Sequence, residues 1–183
     1  MSRLEPLEFD GLPADLKAFA EQTVVQMGFR PNDLLIMARN PALTKALGEL
    51  VNVIYSPAAI SIELKTMIAL IGSSVAGCRY CQSHNTHGAV KLGINKEKIA
   101  AIWEYSESPL FSEAERAALD VSRAAAMTPN EVTDKMFEKL KKHYSEEQII
   151  EIVSVISLFG FLNRWNATFN TDLEEEPRIA SQL

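Results

Sequence analysis

The chain has 183 residues, a formal net charge of -6 at pH 7, 47% apolar and 23% charged side chains, and two cysteines. This is the composition of an ordinary water-soluble globular protein of about one domain, and it excludes a disordered, fibrous or disulfide-stapled chain. The acidic balance argues against a phosphate-binding surface, so nucleic acid is not an expected partner.

The opening MSRLEPLEFDGLPADL carries acids and prolines where an export signal needs a basic start and an apolar run. The apolar stretch near Ile149–Leu162 is broken by Glu151, Ser154 and Ser157 and falls short of the ~20 residues of a membrane span. The expectation is a cytoplasmic protein, with no membrane partner.

In chain order, the periodicity predicts a helix over Pro13–Met27 with Leu16, Phe19, Ala20, Val24 and Met27 on one face and Gly28 as its stop. Shorter segments follow at Pro31–Arg39 and Leu43–Ile54. A central helix over Ser61–Ala76 ends at Gly77, and a second helix restarts at Cys78 and closes at Leu92-Gly93. Asn95 caps Lys96–Tyr105, Ser112 with Glu115 forms a capping box for a helix to Met127, and Thr128-Pro129 opens a short segment. Ser145 with Gln148 boxes the start of a long helix from Glu146 to Ala167. The basic run Lys139, Lys141, Lys142 and His143 reads as a cationic last helical turn. Glu174–Glu176 reads as a solvated acidic run.

No alternating β-branched run is present, so the fold class is all-α. Lys91, Asn95, Glu97, Ile99 and Ile102 recur fifty residues on as Lys141, Ser145, Glu147, Ile149 and Ile152, the mark of a possible internal helix-loop-helix repeat. The expected organisation is a single domain over 1–183, with an N-terminal helical extension at 1–40, a core at 41–175 and a tail at 176–183.

The chemistry concentrates in Cys78-Arg79-Tyr80-Cys81-Gln82-Ser83-His84-Asn85-Thr86-His87. Residues three apart are helix neighbours, so Cys81 reaches Cys78 on one side and His84 on the other, and a disulfide between the cysteines is feasible. Free N–H groups and the positive dipole end at a helix start favour a thiolate, with Arg79 nearby. A neutral His84 is placed to exchange a proton with Cys81. The competing explanations are two buried small apolar side chains and a zinc site. Against zinc, Cys78 and His87 stand ~13.5 Å apart along one helix, far beyond one ion's ligand shell. No metal and no cofactor are expected.

Around Ala76-Gly77-Cys78-Arg79-Tyr80-Cys81-Gln82-Ser83-His84 the sequence resembles the AhpD-like, or carboxymuconolactone decarboxylase, family in its alkylhydroperoxidase branch. Lys91-Leu92-Gly93 and Leu162-Asn163-Arg164-Trp165-Asn166 followed by Leu173-Glu174 also look like that family, a likeness over roughly residues 40–175. The resemblance implies an AhpD-like helical bundle and assembly into dimers, trimers or hexamers. It implies cofactor-free reduction of a hydroperoxide through a cycling Cys78/Cys81 disulfide, with Cys81 attacking and Cys78 resolving, and a dithiol or disulfide-reductase electron donor. The family's proton relay has His four residues after the second Cys and Glu twelve before the first; this chain has Asn85 and Thr66 there. A shifted relay of Cys81, His84 and Glu63 is the expectation, with His87, Tyr80, Asn85 and Trp165 as secondary site residues. The decarboxylase branch lacks the cysteine pair, which counts against that activity. The alternative class is a redox sensor or assembly protein whose disulfide alters packing.

Overall fold

The computed structural model describes residues 1–182, and among them every regular element is a helix. The α-helices are α1 (Ala14–Met27), α2 (Asn32–Met37), α3 (Pro41–Tyr55), α4 (Ile62–Val75), α5 (Arg79–Lys91), α6 (Lys96–Ala100), α7 (Glu113–Ala125), α8 (Asp134–Lys141), α9 (Glu146–Phe169) and α10 (Glu175–Ala180).

Capping side chains set the boundaries. Ser61, Ser112, Thr133 and Ser145 each accept the N–H three residues on, and Ser112/Glu115 and Ser145/Gln148 close full capping boxes. Pro41 lies inside its helix at the first position, behind the Asn40 cap, rather than before it. Its missing N–H costs nothing there and its fixed φ suits helix entry. The segment after Thr128-Pro129 turns before its helix begins at Asp134. The predicted helix from Lys96 tightens into a 3-10 turn at Ala101–Glu104.

The fifty-residue echo corresponds to two helix-turn-helix corners, α5 to α6 and α8 to α9, each with a capping side chain opening the second helix. The likeness ends after that turn: α6 stops at Ala100, while α9 runs for 24 residues.

The hub is α4. Ten consecutive residues, Leu64–Ser73, are buried, as expected of a helix apolar all round. It packs against α5, α7 and α9. Lys65 is buried among these apolar side chains; its ammonium caps the end of α3 through Ile54 O (2.7 Å) and Ser56 O (3.1 Å) and pairs with Glu151 (3.2 Å). Helix α9 is longer than its apolar stretch alone indicated and has the length and composition of a membrane span. Its apolarity is accounted for by the core: Ile152, Val155 and Leu158 are buried against the hub.

A smaller core of Phe9, Leu12, Leu16, Ala20, Leu35 and Ala38 joins α1 and α2. The two chain ends meet across the bundle. Arg3 N–H donates to Phe169 O, Ser2 and Asp172 exchange hydrogen bonds, and Asn32 donates to Asp172 O. This latch brings α2 and the segment before α10 over the start of α5.

Candidate active site

Gly77 turns the chain from α4 into α5 at φ +67°, a conformation that a Cβ disfavours. Cys78 is therefore the N-cap of α5, one position outside it, and its Sγ accepts the Cys81 N–H at 3.4 Å. Both sulfurs are buried and free. The side-chain bond between the two thiols, helped by the Cys81 N–H, lowers the Cys78 thiol below its ordinary range, against the opposing effect of burial. The same bond, with burial and the neighbouring negative charges, pushes the Cys81 thiol far up. The proton is therefore held more tightly on Cys81 than on Cys78.

Cys81 faces a cavity of about 960 Å³. Its walls are mainly apolar, from Phe19, Met37, Val51, Leu158 and Phe159 among others, with Asp33, Tyr80, His84 and Asn166 beside the sulfur. Such a volume accepts a drug-sized apolar molecule.

His84 Nε2 lies 2.7 Å from Glu174 Oε2, and the pair is nearly enclosed. Glu174 Oε1 also accepts the Asn32 N–H (2.5 Å) and faces the Tyr80 hydroxyl (2.7 Å). Burial alone would raise this carboxyl, but its bond to His84 and that ring's charge, with the Asn32 and Tyr80 donors, hold it below its usual range. Tyr80 stacks on His84 at 4.0 Å, and Phe29 meets both His84 and His87 edge-on.

Asp33 is the second carboxylate. Its Oδ1 lies 3.1 Å from the Tyr80 hydroxyl, and its Oδ2 accepts from Asn166 Nδ2 at 3.4 Å. The same Nδ2 is 3.5 Å from Cys81 Sγ, while Asn166 Oδ1 is buried without a partner. Burial dominates Asp33 and raises its carboxyl, with the Glu174 charge adding and the His84 charge opposing. Burial and both carboxylates push the Tyr80 hydroxyl well up, so it remains a neutral donor.

The structure brings Cys78, Cys81, His84 and Tyr80 together and leaves Glu63 out. Glu63 sits on the outer side of α4, half-exposed, with its carboxylate on Lys98 at 2.6 Å. The i,i+3 relation to Thr66 that favoured it does not rotate it into the cavity that Thr66 lines. Glu174, read as solvated, holds the place expected for Glu63. The family relay positions, Thr66 and Asn85, both line the cavity as neutral groups. Asn85 donates to Ser73 Oγ at 3.3 Å. His87 faces Met27 O at 3.1 Å and pins the end of α1. Trp165 points some 100° around α9 from Asn166, into a separate hollow of about 820 Å³, where it packs between Phe161 and Phe169.

Asp33 carried no distinctive sequence signal, while Asn166 and Glu174 stood in family-like stretches that did not mark them as site residues. An acid in the first turn of α2 reads as dipole compensation, and an acidic run reads as solvent-facing. Among the described residues, no group of three or more His, Cys, Asp or Glu side chains is arranged to hold a metal.

A model of the carboxymuconolactone decarboxylase family matches residues 41–124. Crystal structures of the debrominase Bmp8 are 39% identical, cover 97% of this chain and 95% of theirs, and superpose with TM-scores of 0.91 for the apo form and 0.92 for a cysteine-to-alanine variant holding 2,3,4-tribromopyrrole. An Agrobacterium tumefaciens protein of unknown function, described as a putative antioxidant defence protein AhpD, is 26% identical over 75% of this chain and 94% of its own, with a TM-score of 0.70. The uncharacterized protein YdfG of Bacillus subtilis is 28% identical over 59% of this chain and 72% of its own. The family match ends before Asn166 and Glu174 and begins after Asp33, whereas the Bmp8 match spans all three.

Proposed function

The chain belongs to the carboxymuconolactone decarboxylase family, and within it we propose that the protein is a cofactor-free dithiol reductase in which Cys78 and Cys81 cycle between dithiol and disulfide to deliver two electrons to an apolar substrate. The observation that carries this reading is the position of Cys81: it lines the cavity, with the Cys78 sulfur beside it at the helix cap.

The substrate we favour is a small halogenated aromatic molecule. Its support is the likeness to Bmp8, which extends over both terminal segments that supply Asp33 and Glu174. In that reaction the carbon–halogen bond breaks, the ring carbon gains a proton, halide leaves and the two thiols become a disulfide. The second reading is the hydroperoxide reduction expected from the sequence, supported by the likeness to the AhpD-described Agrobacterium protein. There Cys81 takes the distal oxygen as a sulfenic acid, alkoxide leaves as alcohol, and Cys78 as thiolate displaces hydroxide to form the disulfide. Both need a dithiol donor to restore the thiols and fit a reducing cytoplasm. Exposed Ile150, Val153 and Phe161 on α9 and Leu50 and Val53 on α3 support assembly with further copies.

The experiment offers reduced protein, with excess dithiol, brominated pyrroles and phenols on one hand and cumene hydroperoxide on the other. Catalytic bromide release or hydroperoxide loss, abolished by Cys81→Ser, is expected. Stoichiometric oxidation without turnover on either would reject the enzyme and leave the redox-sensor alternative.

A further inference from the structure

We infer that Asp33, carried by α2 of the N-terminal extension, is the proton-transfer residue of this site: its carboxylate takes the proton from Cys81 and returns it to the product. This rests on the reading of Cys81 as the attacking thiol, which leaves that thiol's proton in need of an acceptor.

Two carboxylates belong to the site, Asp33 on the cavity that Cys81 lines and Glu174 on His84, and their surroundings differ. Glu174 receives His84, the Asn32 N–H and the Tyr80 hydroxyl at 2.5–2.7 Å, so it is a fixed anion balancing the imidazole. Asp33 Oδ1 accepts the Leu34 N–H at 2.7 Å, while its Oδ2 has one long contact, from the Asn166 amide that also touches Cys81 Sγ, and the residue lines the same cavity. Tyr80 has one hydroxyl hydrogen between two carboxylates. Its shorter contact, 2.7 Å, is to Glu174, and its oxygen accepts the Asp33 N–H at 3.2 Å, so the 3.1 Å contact to the Asp33 carboxyl has room for a proton held on Asp33. Neighbouring acids pushed in opposite directions are the usual mark of divided roles, one permanently charged and one exchanging protons near neutrality. The charged or titratable groups facing Asp33 are Cys78 at the cap of α5, Tyr80, Cys81 and His84 within it, and Glu174 ahead of α10.

The step balances. Asp33 accepts the Cys81 proton, the thiolate forms its bond to halogen or to the distal peroxide oxygen, and the fragment that departs with the electron pair takes the proton back from Asp33. Cys78 then closes the disulfide and releases halide or hydroxide.

The test uses Asp33→Asn, which keeps the shape and loses the exchangeable proton, in the native and Cys78→Ser backgrounds. In the second background Cys78 cannot serve as the base. Two rates are compared from pH 5 to 9: single-turnover oxidation of Cys81 by cumene hydroperoxide, and its modification by methyl methanethiosulfonate, whose sulfinate leaving group needs no proton. Asp33→Asn is expected to slow oxidation on the order of 100-fold in both backgrounds and to speed modification near pH 7, because the negative charge that disfavours the Cys81 thiolate is gone. Oxidation within about threefold of the parent, or both rates falling together as a structural defect would make them, overturns the inference. A native enzyme that oxidises once without cycling sinks the proposed function while leaving this comparison intact.

Discussion

His84 and Glu174 stand 90 residues apart in sequence and 2.7 Å apart in space. The histidine comes from the cysteine-bearing helix; the carboxylate comes from the segment that the chain ends lock over it. The stretch matched by the family model supplies the sulfurs, and the acids come from outside it on either side.

Exchanging the two candidate carboxylates separates them. Glu174→Gln leaves His84 without its charged partner and is expected to cost about 2–3 kcal/mol in urea unfolding at pH 7, together with most of the activity. Glu63→Gln disrupts only a half-exposed pair with Lys98 and is expected to cost under about 1 kcal/mol, with turnover near wild type. The reverse pattern would restore Glu63 to the relay.

The two buried acids have opposite pH signatures. Glu174 lies below its unfolded value, so its stabilisation is present above that value, about pH 4.3, and is lost as pH falls through the folded value. Asp33 lies above its unfolded value, so its contribution is complete below about pH 3.9 and is lost as pH rises through the folded value. Urea midpoints from pH 3 to 8 check this. Relative to wild type, Asp33→Asn gains stability on raising the pH, while Glu174→Gln loses it.

Gly48 on α3 faces the Phe19 ring of α1: a Cβ there would meet ring atoms at 2.4 and 2.5 Å. Both residues line the cavity. Gly48→Ala displaces the ring at a cost of about 1–3 kcal/mol and is expected to raise KM severalfold with kcat nearly unchanged, measured with the best substrate found. A fall in kcat at constant KM would place Phe19 outside the binding wall.

Lys65→Met removes the donor shared by Ile54 O and Ser56 O and strands Glu151. The loss expected in thermal or urea unfolding is about 2–3 kcal/mol. An unchanged midpoint would mean that water replaces the ammonium without cost.

Much of the fold was legible because its punctuation is local. Ser61, Ser112 and Ser145 mark their helices through bonds three residues away, and Gly28, Gly77 and Gly93 mark turns through their own positive φ. The Cys78, Cys81, His84 spacing was legible for the same reason. The place of Asp33 and the role of Glu174 were not: each is defined by a partner in α5, 47 to 94 residues distant, and the family-like Leu173-Glu174 did not separate a latched acid from a solvated one. Pro41 and the 3-10 turn at Ala101 lay within the usual uncertainty of helix ends.

Counting thiols tests the central claim most directly. Reduced protein is treated with one equivalent of cumene hydroperoxide or a brominated pyrrole, then alkylated, digested and weighed across the Cys78–Cys81 peptide. An intramolecular disulfide, two hydrogens lighter, unalkylated and reversed by dithiol, is the predicted result. Two alkylated cysteines after complete loss of the oxidant, or a mixed disulfide between chains, would contradict it.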